Sequence, residues 1–193
     1  QGKNVSIITR AKKPHHSNSN WAQGGIIYPD KLDETFEGDI QKASSNTSNR
    51  EAIEVLKSRG AKAVKELLLD KAKTDFARNS EGELLYTKEA AHSIDRILYK
   101  GDFTGREIQV SLLNYLKDTK RFPNVKFLQG HTAIDLLTPQ HHGNAIQQRY
   151  EEDKVVGAYL FNQDRQEVIK ALAKVTVLAT GGIGALYLHH SNS

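Results

Sequence analysis

The stretch VTVLATGG, Val175–Gly182, constrains this chain more than any other. Its run of β-branched and apolar residues reads as a buried strand. A second β-branched stretch, NVSIIT (Asn4–Thr9), reads as a strand near the other end. The segment between them is largely helical. Ser48 and Glu51 are spaced as a capping box. Behind them Ile53, Val55, Leu56, Ala63, Val64, Leu67 and Leu68 form a helical stripe over Arg50–Asp70, interrupted by Gly60. Asp33–Ser45 is a weaker helix. Thr104 and Glu107 form a second capping box, opening a helix to about Lys120. Strands follow at Asn124–Gly130 and Thr132–Thr138, then a polar surface loop at Gln140–Asp153. Lys154–Asn162, the stretch from Glu167 and Val175–Thr180 read as a three-stranded meander ending in the buried strand. The order strand, helices, strand, meander, strand predicts an α/β chain that mixes parallel pairing with an antiparallel insertion.

Composition narrows the function classes. With 38% hydrophobic and 26% charged residues the chain suits a globular fold. The net charge of +4 is spread among mixed signs, with no basic stripe interleaved with aromatics, so nucleic acid is not an expected partner. There is no cysteine, which excludes disulfides and thiol chemistry and suits a reducing compartment such as the cytoplasm. No apolar run reaches the ~18 residues of a membrane span. His141–His142 and His189–His190 are adjacent pairs, which splay apart and make poor chelates. No carboxylate stands at ligand spacing, so no metal site is expected.

Three stretches could carry chemistry. Thr180, Gly181 and Gly182 end the buried strand with bare backbone that a ligand could approach, or simply make a strand-to-turn exit. SNSNWAQGG, Ser17–Gly25, follows the first strand by about a dozen residues. In a dinucleotide-binding fold such a loop runs along the ligand. Asn18, Ser19 and Asn20 would supply short polar groups, and Gly24 and Gly25 would pass against a flat ring. An ordinary glycine turn is the alternative. Thr87–Glu107 packs Lys88, Glu89, His92, Asp95, Arg96, Asp102 and Arg106 together. That is either a substrate-binding set or a solvated loop laced with ion pairs.

Taken together, NWAQGGI (Asn20–Ile26), DFTGRE (Asp102–Glu107) and VVGAYLF with AKVTVLATGG resemble the FAD domain of the succinate dehydrogenase, fumarate reductase and aspartate oxidase superfamily. The resemblance implies a partial, Rossmann-like FAD-binding domain over residues 1–193, with parallel strands, a helical insertion and a β-meander. In the respiratory dehydrogenases a histidine five residues before the Gln or Glu of this segment carries the flavin. Here that position is Asn18, which implies non-covalent FAD. TKEAAHSIDRIL is similar to the aspartate oxidase branch, through Thr87, Lys88, Glu89, His92, Ser93, Arg96 and Ile97.

The resemblance implies oxidation of L-aspartate to iminoaspartate, with O₂ or fumarate as acceptor. The product would serve quinolinate and NAD formation, with quinolinate synthase as a partner. Glu89 would orient the substrate ammonium, with His92 and Arg96 as further catalytic residues. Arg10, Asn18, Ser19, Asn20, Trp21, Ala22, Gln23, Gly24 and Gly25 would contact the cofactor, as would Thr132, Ala133, Thr180, Gly181 and Gly182. Ala90 and Ala91 replace a glycine pair, so a positive φ at Ala90 would strain the backbone or shift Glu89. The resemblance also places a phosphate-binding G-x-G-x-x-G turn before Gln1, and a capping and a helical domain after Ser193. The 193 residues alone are then expected to be inactive. A fumarate reductase or succinate dehydrogenase flavoprotein, and a non-catalytic nucleotide- or protein-binding module, are the alternative readings.

Overall fold

A computed structural model describes residues 2–28 and 34–190. The chain divides into two compact units, residues 1–16 with 123–193, and residues 17–122.

The first unit is built on sheets. β1 (Val5–Thr9) pairs in parallel with β5 (Val125–Gln129), Val5 opposite Val125 and Thr9 opposite Gln129. β6 (His131–Leu137), β7 (Gly157–Asn162) and β8 (Glu167–Leu172) form an antiparallel meander, with a register irregularity between Ala133 and Asp135. Leu137, Ala158 and Leu160 are its buried apolar residues. The expected meander is therefore present, but one strand earlier in the chain. The expected strand Val175–Thr180 is not formed. Among the described residues no strand lies along it, and Val177 is 80% exposed. A β-branched stretch becomes a strand only where a neighbour takes its backbone hydrogen bonds.

The second unit carries α1 (Asn18–Trp21), β2 (Ile26–Ile27), α2 (Thr35–Ala43), α3 (Arg50–Val64), β3 (Tyr86–Thr87), β4 (Ile97–Leu98) and α4 (Thr104–Leu116). Of the expected weak helix, Asp33 lies outside the described residues. α3 runs through Gly60 without a break and passes into a π-helical turn at Lys65–Lys71. That turn rotates Leu68 into a core with Val64, Phe76 and Leu98. β4 is the central strand of a short sheet, antiparallel to β2 on one side and β3 on the other.

Both capping boxes are corrected. The cap of α3 is Asn49, whose Oδ1 accepts from Ala52 N–H at 3.1 Å, one residue beyond Ser48. α4 begins after Phe103. Thr104 lies inside the helix, fully buried, its hydroxyl accepting from Lys100 N–H at 2.9 Å. The short β2, β3, β4 and α1 were not legible as elements, being too short for any periodicity to register.

Candidate functional site

The site is assembled within the second unit, around the loop of residues 88–96 that joins β3 to β4. The loop turns sharply at its start. His92 N–H donates to Glu89 O at 3.1 Å, and Ala90 holds φ +45°. A positive φ at the first central position is the mark of a primed turn, where glycine is usual. The strain anticipated at Ala90 is therefore present.

The turn folds the Glu89 carboxylate back over the sheet. Glu89 Oε1 accepts from Gly25 N–H at 3.1 Å. Oε2 receives no hydrogen bond from the described residues. Gly24 and Gly25 lie against this carboxylate and the adjoining sheet. A Cβ on Gly25 would stand 2.2 Å from Leu98 O and from Ile97 Cγ2, so the glycine lets β2 approach β4. A Cβ on Gly24 would meet Glu89 Oε2 at 3.0 Å. The two glycines therefore seat a carboxylate on bare backbone.

On one side of this seat lies a cavity of about 320 Å³ bordered by Ser19, Ala22, Gly24, Gly25, Ile108 and Gln109. Gly105 closes it by bringing α4 against α1, its N–H donating to Ala22 O at 2.9 Å. Ser17 Oγ donates to the Gln109 side-chain oxygen at 3.1 Å. Of the expected contact residues, Asn18 and Ser19 sit exposed on α1, Asn20 is half-buried, and Trp21 is 72% exposed. Ala22 and Gln23 follow, also exposed. Bare backbone at Gly24 beside a cavity of ring size, rimmed by amide and hydroxyl groups, fits the edge of a flat heteroaromatic group.

A second cavity, about 370 Å³, lies beside the same loop, bordered by Asp39, Ser44, Ser48, Ala90, Ala91 and His92. His92 Nδ1 is buried, with no hydrogen-bond partner among the described residues. Arg96, expected as a catalytic residue, lies enclosed in the second unit. It is 1% exposed, its guanidinium 3.1 Å from Asp39 Oδ2, donating to Thr35 Oγ1 at 2.7 Å and lying over the Phe36 ring. Asp39 in turn accepts from Ser93 N–H at 2.7 Å and Ser93 Oγ–H at 2.5 Å. Those Ser93 bonds first, and the Arg96 charge less strongly, hold the Asp39 carboxyl below its ordinary 3.8 against the opposing effect of burial. Sequence reasoning missed Asp39 altogether, because a lone aspartate in a weak helix carries no pattern.

The remaining expected contacts fall in the first unit. Arg10 is exposed, and its carbonyl accepts from Gln163 Nε2 at 3.1 Å. The same nitrogen donates to Thr132 Oγ1 at 3.1 Å, so Gln163 ties β6 to the end of β1. Ala133 is exposed at the irregularity of β6. Thr180, Gly181 and Gly182 are exposed and close no strand, since the preceding stretch is unpaired. His142 Nε2 lies 3.6 Å from Asp135 Oδ2, a carboxylate partner that spacing in the sequence did not suggest. Among the described residues no three His, Cys, Asp or Glu side chains converge as a metal site. Nor is any described helix long and apolar enough to cross a membrane.

Parallel and antiparallel strands in the first unit, and helices with a glycine-lined seat in the second, make this a Rossmann-like α/β chain. The chain belongs to the FAD binding domain family, whose match spans residues 1–193, and FAD is its cofactor. It is 35% identical over 191 residues to L-aspartate oxidase 2-a, chloroplastic, of Nicotiana tabacum, covering 97% of this chain and 28% of that protein. It is 34% identical over 197 residues to the L-aspartate oxidase of Halobacterium salinarum, covering 100% of this chain and 35% of that protein. The chain thus spans about a third of these relatives. Among solved structures, the Mycobacterium smegmatis Sdh1 complex superposes with a TM-score of 0.82 at 21% identity, covering 100% of this chain and 32% of that one. An E. coli quinol fumarate reductase superposes with a TM-score of 0.80 at 18% identity, covering 100% and 30%. At such identities these two establish the fold.

Proposed function

We propose that these residues are part of the FAD domain of a longer flavoprotein that oxidises L-aspartate to iminoaspartate. The observation that carries this reading is the Glu89 carboxylate. One oxygen is fixed by Gly25 N–H, and the other accepts nothing from the described residues. A half-buried, backbone-seated carboxylate with one open oxygen complements an ammonium group. It has no comparable use for a dicarboxylate lacking nitrogen. The identity to L-aspartate oxidases over nearly the whole chain supports the same reading.

FAD, when bound, supplies the acceptor for two electrons from the substrate. The chain's own residues seat and orient. Asn18–Gly25 would line the ring on the side of the smaller cavity. Arg10, Thr132 and Ala133 would serve the nucleotide end, and Thr180–Gly182 the backbone beside it. Glu89 would hold the substrate nitrogen so that its Cα–H faces the ring. His92, with its buried Nδ1, lies on the other side of the same turn and would fix the turn. Asn18, at the position of the flavin-carrying histidine of respiratory dehydrogenases, supports a non-covalent cofactor. Either O₂ or fumarate would reoxidise it, and iminoaspartate would pass to quinolinate synthesis, and so to NAD. The cysteine-free composition supports a cytoplasmic setting.

The test is anaerobic flavin bleaching in the full-length protein. Loss of the flavin band with L-aspartate but not with succinate, and release of the flavin on denaturation, is the expected result. Bleaching by succinate, with flavin retained on denaturation, would assign the protein to the respiratory branch instead. An absence of bound flavin would leave the non-catalytic module.

A further inference from the structure

The Glu89 turn is short, exposed on several sides and strained at Ala90, yet its carboxylate must be held to a fraction of an ångström to read a substrate nitrogen. Its near end is tied by Gly25 N–H and by the His92-to-Glu89 turn bond. Its far end is tied at Ser93, whose N–H and hydroxyl both donate to Asp39. Only Ala90, Ala91 and His92 separate the two ties. Asp39 is itself immobilised on α2, 6% exposed, by Arg96. Arg96 also bonds Thr35 and covers Phe36, so one guanidinium grips the first turn of the same helix. Next to Arg96 along the chain stands Ile97, which opens β4 and lies opposite Ile27. The network therefore joins α2, the sheet that seats Gly25 and the end of the Glu89 turn.

A buried ion pair is a poor source of net stability, because desolvation offsets its attraction. A well-packed apolar pair would hold α2 at least as firmly. What the apolar pair could not do is accept two hydrogen bonds from Ser93. We propose that Asp39 is a positioning residue for Glu89, anchoring Ser93 through a carboxylate that Arg96 fixes, and so setting selectivity for four-carbon dicarboxylates that carry an amino group over those that do not. The inference rests on the reading of Glu89 as the group facing the substrate nitrogen.

The experiment uses the full-length, FAD-loaded protein with Asp39→Asn, Ser93→Ala, Glu89→Gln and the Asp39→Asn/Glu89→Gln double variant. Asp39→Asn is expected to raise KM for L-aspartate about tenfold, while the inhibition constant of succinate stays within about twofold. The double variant should be no worse than Glu89→Gln alone, since the two residues act as one unit. Amide exchange at Gly25 and across residues 88–93 should quicken in Asp39→Asn, because the Glu89 acceptor is no longer held in place. Additive losses, equal losses for both ligands, or unchanged exchange at Gly25 would each overturn the proposal. Ser93→Ala leaves the buried pair intact, so it keeps the test open if Asp39→Asn does not fold. A Ser93→Ala protein with undiminished selectivity and unchanged exchange at Gly25 would also overturn it. If wild-type flavin is not reduced by L-aspartate, the functional reading itself fails, and the exchange measurement still decides whether Asp39 holds the turn. If wild type and Glu89→Gln behave as expected but Asp39→Asn and Ser93→Ala keep full selectivity, only this inference fails.

Discussion

At the scale of single residues, the glycine pair and the alanine pair are opposite cases. Gly25 cannot accept a side chain, because its Cβ would lie 2.2 Å from the Leu98 carbonyl, a backbone atom that cannot move without parting β2 from β4. Gly24→Ala would press only on the end of Glu89, a flexible side chain 3.0 Å away. The expected outcome is that Gly25→Ala loses soluble folded protein, whereas Gly24→Ala folds and weakens binding of the amino substrate. Expression with circular dichroism, followed by substrate titration, separates them. Ala90 is the reverse case, a residue with a Cβ where none is wanted. At φ +45° it bears strain of about 1–2 kcal/mol that glycine would relieve. Glycine gives back about 0.4–1 kcal/mol through the freer unfolded chain. Ala90→Gly should therefore stabilise by about 0.5–1 kcal/mol, read as a higher denaturation midpoint at unchanged m. A lower midpoint would show that the turn is not strained.

At the scale of elements, legibility followed length. The stripe from Ile53 to Leu68 carries several turns of period and located the α3 region, as the β-branched NVSIIT stretch located β1. What remained hidden was of two residues or four, such as β2 to β4 and α1, where no period has room to show. Caps were misplaced by one residue because a capping box is a pattern of types, while the cap itself is a matter of backbone angle. Asn49 has the extended backbone, and its side-chain oxygen is the one that accepts from Ala52 N–H. Asn49→Ala should therefore cost about 1 kcal/mol, and Ser48→Ala close to nothing, in chemical denaturation. Equal losses would contradict the placement of the cap. The candidate site was legible in part. Glu89 and the glycines could be picked out, but not their mutual hydrogen bond, since no spacing along a chain announces a contact between residues 25 and 89. Asp39 was invisible for the same reason, and Val175–Thr180 misled because strand character is completed by a neighbour. Phe76, 1% exposed beside Leu68 and Leu98, was likewise unmarked. Its truncation to Ala should cost about 3–5 kcal/mol, seen as a lower melting temperature.

At the scale of the whole molecule, two described aspartates, one in each unit, have carboxyls lowered on folding, and the two differ in kind. In the second unit Asp39 is lowered first by Ser93 and then by Arg96, within a nearly closed environment. In the first unit Asp164 is lowered by the hydrogen bond and charge of Lys12, whose ammonium stands 2.7 Å away on an open surface with side chains 71% and 67% exposed. A carboxyl lowered in the folded state contributes stability that is present above its unfolded value, here 3.8, and is lost as pH falls through the lower folded value. Stability should thus be level above pH 3.8 as far as these groups are concerned, and should decline below it. Salt separates the two contributions. The exposed Lys12 pair is screened by added salt, whereas the enclosed Asp39 set is not. Asp164→Asn should accordingly flatten the acid decline at low salt and change nothing at high salt. Asp39→Asn should flatten it at both. Urea denaturation between pH 5 and pH 2, at ~0.02 M and ~1 M NaCl, reads the difference directly, since the Debye length falls from roughly 20 Å to 3 Å over that range. If Asp39→Asn retained the steep acid decline at high salt, the Ser93 bonds would not be what holds that carboxylate ionised, and its placement beneath the Glu89 turn would have to be revised.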